Sequence, residues 1–391
     1  MNLEDAKTVM VRTHLAALKQ EHRANGLYLE SGPGIGKSEG AFQATEQLAK
    51  TLGEPAAITQ FMLATISSVD VRGFMLPVKG ANGSLDTIFS IPPWFPTLAN
   101  ISVVEPNGKW HKPGTWTGTV PRVGNLFLDE FAQAEDEIKK PAAELIYKGN
   151  VGTCTLPDGW RVIAAGNRVT DRSGVLRELM FLVNRRCRLS IDASLPAWLD
   201  WASRQDDKDR PHYLTMSFAQ KNPDLVFRDS VPEGTDPFCT PRTLCLMDKD
   251  LAALRSEADV DHDRLPLDGI AREVAAGWIG QGAAAQFYTH LKYADQLPDI
   301  SDIEKDPAKA KCPDGRDAQM VCGYMLAHNV NEKNAGAILR YMNRLNIEMQ
   351  VLTIRAISAP QQENRTKAIV VQPEYIQWLM KNRDLLTASR S

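Results

Sequence analysis

The sequence lacks any apolar run approaching the roughly 18–20 residues that a membrane-spanning helix needs. Its opening, MNLEDAKTVMVRTHLAALKQ, is charged and amphipathic throughout, with no secretory apolar region. A soluble, cytoplasmic protein with no membrane association is expected. An excess of positive charge is missing too: 45 Lys and Arg stand against 48 Asp and Glu, a net charge of −3. The bulk composition therefore provides no large nucleic-acid surface and leaves room only for a local basic patch. Six cysteines are scattered with neither CxxC nor Cys/His ligand spacing, which argues against a disulfide framework or a zinc site. They are expected to be reduced and mostly buried. Internal repeats and low-complexity tracts are absent as well.

What remains is 391 residues of ordinary globular composition, 43% hydrophobic and 24% charged. That length exceeds one compact core, so two or three packed units are expected. Apolar residues at helical spacing (Val9, Val11, Leu15, Leu18) predict an amphipathic helix from Leu3 to His22. Gly26–Glu30 reads as a strand, Ser31–Gly36 as a glycine-rich turn and Lys37–Thr51 as a helix. Ala57–Thr65 and Asn125–Leu128 read as buried strands, with a helix over Gln133–Lys148. Between Asp70 and Pro121, Gly, Pro and three exposed-looking tryptophans (Trp94, Trp110, Trp116) predict loops and short hairpins. Thr153–Leu156 and Trp160–Ala165 are expected to pair as a hairpin, with Asp158-Gly159 at its positive-φ turn. Alternating strands and helices imply a doubly wound parallel sheet. After about Leu195 the pattern turns helical, and Arg204–Arg210 (RQDDKDR) reads as a solvated loop.

The strongest chemical signal is Ser31-Gly32-Pro33-Gly34-Ile35-Gly36-Lys37-Ser38. Small residues let successive backbone N–H groups converge on phosphate oxygens, and the helix behind them adds its positive end. Lys37 then bridges β- and γ-phosphates and Ser38 ligates Mg²⁺. The pattern GxxxxGK[ST] asks for glycine first, where this chain has Ser31. Leu126-Phe-Leu-Asp129-Glu130 is an apolar strand that delivers two acids at its carboxyl end. Asp129 is expected to hold the metal through water and Glu130 to polarise the attacking water. Val162–Asn167 ends a further strand on an amide that would position that water. The arginines of Leu182–Arg188 include candidates for a group reaching a neighbour's γ-phosphate, Arg185 first and Arg186 next. Arg242, in Thr240-Pro241-Arg242-Thr243, opens a helix from which it could face nucleotide.

In this order the motifs resemble the AAA+ family, and within it the MoxR-like ATPases. SGPGIGKS looks like Walker A, LFLDE like Walker B, AAGNR like sensor 1, the Arg185-Arg186 segment like the arginine finger and TPRT like sensor 2. Pro93-Trp94, Leu156–Trp160 and Gly280–Ala285 add to the likeness, which covers about residues 25–290. The resemblance implies an αβα P-loop core with a parallel sheet, followed by a helical lid and a helical C-terminal extension, with boundaries near 1–195, 196–300 and 301–391. It also implies ATP and Mg²⁺ as cofactors, a homo-oligomeric ring, usually a hexamer, and a protein client or von Willebrand A domain partner. Trp94-Phe95 and Trp110–Trp116 would then line a pore or grip a client. A nucleic-acid-stimulated loader or translocase is the competing reading, and a slow nucleotide-gated switch a third.

Overall fold

The structure, a computed structural model, describes residues 1–80, 83–168, 183–206, 209–228, 230–261, 263–358 and 363–387. Leu182 of the arginine segment and Asp207 and Lys208 of RQDDKDR lie outside the described residues. Two compact units divide near Ala193–Ser194.

The first unit begins with α1 (Leu3–Lys19), β1 (Leu27–Ser31), α2 (Lys37–Leu52), β2 (Ala56–Met62) and a short α3 (Ser68–Arg72). A hairpin of β3 (Met75–Lys79) and β4 (Leu85–Phe89) follows, then β5 (Ser102–Val104), β6 (Trp110–His111) and β7 (Val123–Asp129). After α4 (Asp136–Lys148) come β8 (Asn150–Val151), β9 (Cys154–Thr155), β10 (Trp160–Asn167) and β11 (Cys187–Ser190). The main sheet runs β11-β1-β10-β7-β2-β5-β6. Its first five strands are parallel, and β5 and β6 close one edge antiparallel.

Strands covered on both faces read as continuous apolar runs, which is why β1, β7 and β10 carry so few polar residues. Side chains alternate between faces along each strand. Leu27 and Leu29 pack with Met10, Ala41 and Leu48 of α1 and α2, together with Phe127 and Ile163. Tyr28, between them, joins Leu126, Leu128 and Ala164 against Ile138, Ala142 and Leu145 of α4. The result is an αβα sandwich around a parallel sheet. From β1 the chain moves out to β2, steps back through β7 and β10, then crosses β1 to reach β11. The strand order reverses beside β1, and in doubly wound sheets ligands are taken beyond the carboxyl ends of the strands at such a point.

Four expectations need correction. The Asp158-Gly159 hairpin does not form: Cys154–Thr155 pairs back with Asn150–Val151 around Gly152 (φ +59°), and β10 pairs in parallel with β1 and β7. Gly159 is needed for closeness instead, since a Cβ there would sit 2.2 Å from the Arg122 carbonyl oxygen. The tryptophans are packed. Trp94 is fully buried and its indole N–H donates to the Val71 carbonyl at 2.7 Å, Trp110 lies against Phe42, and Trp116 is half-buried. Among the cysteines only Cys239 and Cys322 are buried, and Cys187 is exposed.

The regular elements described in the second unit are all helices, around one apolar core that runs from Trp198 through Phe218, Phe287 and Tyr341 to Trp378. Thr240 caps the helix Pro241–Ala253, its hydroxyl accepting the Thr243 N–H at 3.1 Å, with Pro241 in the first turn. Arg210 is buried, so RQDDKDR is not solvated at that end.

Candidate functional site

The loop from β1 to α2 is shaped by its glycines. Gly34 (φ +74°) and Gly36 (φ +93°) occupy the left-handed region that side chains rarely tolerate. Helix α2 starts immediately after, at Lys37, so its free N–H groups and positive dipole end face the loop. The Lys37 ammonium is buried and donates to four neutral oxygens: Ser31 O at 3.3 Å, Ser31 Oγ at 2.9 Å, Gly32 O at 3.2 Å and Asn167 Oδ1 at 2.9 Å. This explains the departure at Ser31. The residue is the last of β1, in extended backbone that needs no glycine, and its hydroxyl helps seat the lysine.

Sheet register brings the remaining groups alongside. Ser31 lies opposite Asn167 at the ends of β1 and β10, and Met62 of β2 lies opposite Asp129 of β7. The Asp129 carboxylate accepts from Ser38 Oγ at 2.8 Å and Gln60 Nε2 at 3.1 Å through one oxygen, and from the Glu130 N–H at 2.9 Å through the other. Glu130 is half-buried in the left-handed conformation (φ +52°, ψ +34°), which no side-chain preference of glutamate supports. A hydroxyl 2.8 Å from a carboxylate, beside a glycine cradle and a seated lysine, is a hard-oxygen donor set suited to Mg²⁺ with a phosphate chain. Gly32 agrees: a Cβ there would meet only Ile35 Cδ1 at 3.6 Å, so the loop leaves room on that side.

The two arginine candidates separate. The Arg186 guanidinium is stacked 3.6 Å above the Tyr28 ring and 5.1 Å from that of Phe131, within its own sheet unit. Burial lowers its pKa to about 10, with Tyr28 opposing. Arg185 is exposed, its guanidinium 5.6 Å from the Tyr147 ring. Arg188 donates from Nε to Glu30 at 2.9 Å, and Arg168 to the Ile191 carbonyl at 2.9 Å. Arg242 is exposed in the second unit, as the second residue of its helix. The side chains named around Lys37 and Asp129 all come from the first unit.

Sequence reasoning missed Gln60, because a glutamine inside an apolar strand has no motif; only the β2–β7 register shows that it reaches Asp129. The β3–β4 hairpin falls in the stretch expected to hold short hairpins, but the exposure of its apolar residues Phe74, Met75, Leu76, Leu85, Ile88 and Ile91 had no sequence signal.

No known protein family's model matches the chain, and no curated protein matches it. Among solved structures it is similar to NtrX from Brucella abortus, at 13% identity and a TM-score of 0.32 over 73% of this chain and 63% of that one. A mutant RuvB from Thermotoga maritima matches at 13% identity and a TM-score of 0.34, over 78% and 76%. NtrX in complex with ATP gives 14% identity and 0.32, over 74% and 63%. In these two NtrX matches the chain spans 63% of that protein. Likenesses this weak do not bear on function, which the geometry at Lys37 and Asp129 has to carry.

Proposed function

We propose that this chain is a Mg²⁺-dependent ATPase of the AAA+ type. The observation that carries the reading is the meeting of Lys37, Ser38, Asp129 and Asn167 at the carboxyl ends of three adjacent parallel strands, over a glycine loop that opens a helix. The backbone N–H groups of Gly32–Lys37, including Pro33 as a fixed bend without an N–H of its own, cradle the phosphates. Lys37 exchanges neutral oxygens for phosphate oxygens. Ser38 and Asp129 would hold Mg²⁺, which neutralises charge on the phosphate oxygens when bound. Gln60 and the Glu130 N–H fix the Asp129 carboxylate, Glu130 polarises the water, and Asn167 positions Lys37 and the γ-phosphate side of the site. No acid stronger than these is required, because phosphoryl transfer depends mainly on placement and charge stabilisation.

The exposure of Arg185, against the internal stacking of Arg186, supports Arg185 as the residue that completes a neighbouring copy's site in a ring. The exposed apolar β3–β4 hairpin supports a protein as what the ring acts on, in the manner of MoxR-like remodellers. Light scattering with and without ATP and Mg²⁺, on the natural sequence and Glu130→Gln, tests the ring. A mass near that of a hexamer, appearing or tightening with ATP, is expected. A monomer under every condition would refute the ring while leaving nucleotide binding intact.

A further inference from the structure

Position 31 is where this chain departs from the glycine that opens the phosphate-loop pattern, and the departure adds a group. The Ser31 hydroxyl is fully buried at the end of β1, 2.9 Å from the Lys37 ammonium nitrogen. Its own proton goes to the Gly32 carbonyl at 2.8 Å, so toward Lys37 it acts as an acceptor. Asn167 Oδ1 stands at the same 2.9 Å, while the Ser31 and Gly32 carbonyls are farther off, at 3.3 and 3.2 Å. Lys37 is therefore drawn back onto the loop by two short contacts, one of which a glycine could not make.

We propose that Ser31 sets the balance between ATP and ADP at this site by holding Lys37 back from the γ-phosphate. The inference rests on the nucleotide reading of the same loop. An ammonium has three protons. Bridging β- and γ-phosphates takes two of them, which leaves one for the two short contacts, so ATP breaks at least one. ADP takes only one proton, and both short contacts survive. The contact that breaks is the one to Ser31, whose hydroxyl is fully buried, whereas Asn167 is half-buried at the end of its strand. A lysine advancing toward phosphate leaves the most deeply buried oxygen first. A ligand that must draw a side chain off a resting partner binds more weakly by what that partner contributes, and hydrogen bonds to charged groups contribute more than neutral ones. Ser31 is thus a positioning residue that acts through Lys37, weakening the triphosphate and sparing the diphosphate.

Calorimetric titration of the full chain with ATP and with ADP, in EDTA so that neither is turned over, tests this. Ser31→Ala removes the hydroxyl and keeps Cβ. Its ATP affinity should rise about threefold to tenfold, a difference of about 0.6–1.4 kcal/mol, and its ADP affinity by less than about twofold. Ser31→Gly should shift the ratio of the two affinities the same way, and Ser31→Thr, which keeps the hydroxyl, should retain the ratio of the natural sequence. Because the ratio compares two ligands on one variant, a general loss of folded protein does not move it. An unchanged ratio in Ser31→Ala, with ATP binding that depends on Lys37 in the natural sequence, would overturn this inference alone. So would weaker ATP binding in Ser31→Ala, the mark of a hydroxyl that reaches phosphate. ATP affinity that Lys37→Ala leaves undiminished would overturn the nucleotide reading and this inference with it.

Discussion

In the first unit a buried charge, Lys37, is held by two loop carbonyls, a hydroxyl six residues away and one amide from a neighbouring strand. In the second unit a buried charge, Asp248, is held by the His212 N–H at 3.1 Å and the Thr215 hydroxyl, from another helix and the turn that precedes it. Around it His212 contacts Asp263, 51 residues along the chain, and Asp263 accepts from Asn329, 66 residues further on. Burial raises the Asp248 pKa. At Asp263 burial pushes the same way, but His212 and Asn329 outweigh it and hold the carboxyl below the usual range. Backbone curvature thus builds the first site and packing of distant helices builds the second. A glycine loop can release its lysine to a ligand by trading one set of neutral oxygens for another. A carboxylate locked among helices cannot let go without opening the core, so its role is to fix the fold.

That contrast can be broken most sharply at Lys37. Lys37→Ala should abolish ATP binding, a loss of at least about 100-fold by calorimetry, with little change in thermal stability; undiminished affinity would show that the loop is not a phosphate site. Next in size, Glu130→Gln should keep ATP affinity while lowering turnover by roughly 100-fold or more, the range expected for a general base. Normal turnover in that variant would remove Glu130 from the chemistry. The arginines sharpen the comparison within one segment. Arg185→Ala should lower turnover of the assembled protein without altering its melting temperature. Arg186→Ala should instead lower the melting temperature, because it removes stacking worth about 0.5–2 kcal/mol from Tyr28 and Phe131. Equal melting temperatures and equal activities in the two would erase the distinction.

Acid should trouble both units. Burial lowers the pKa of His14, His290 and His328 to about 4. All three are neutral in the folded chain, while the unfolded chain takes up protons near pH 6.5. The unfolded state therefore binds more protons between about pH 6.5 and 4, and stability rises with pH across that window. Acidifying from pH 7 to 5 should lower the melting temperature. In His290→Gln, provided the Ser217 contact at 2.8 Å is kept, the fall should be shallower. An unchanged slope would mean that His290 is protonated in the folded protein.

The glycine loop and its lysine were legible because their geometry is local: positive-φ glycines, a helix start and a lysine seated back on the loop fit within eight residues. The apolar strand into Asp129-Glu130 was legible for the same reason. Pairing was not. Asp158-Gly159 does form a turn, closed by the Trp160 N–H on the Pro157 carbonyl at 2.9 Å, but the strands on its two sides do not pair and its glycine serves the close approach of Arg122, which no local pattern announces. Trp94 sits in a Pro-rich stretch that reads as surface, yet it fills the core beside Val71. Gln60 depends on a partner brought beside it by strand register, which leaves no periodic trace. The helical unit shows this throughout, since one core joins Trp198 to Trp378.

The backbone of Glu130 has a consequence for how this protein would respond to selection. A glutamate at φ +52° is disfavoured by about 1 kcal/mol relative to glycine, which adopts that conformation freely. Glu130→Gly should therefore melt slightly higher than the natural sequence while losing turnover. A library sorted for heat resistance alone would drift away from the acid at this position, and one sorted for activity would hold it there.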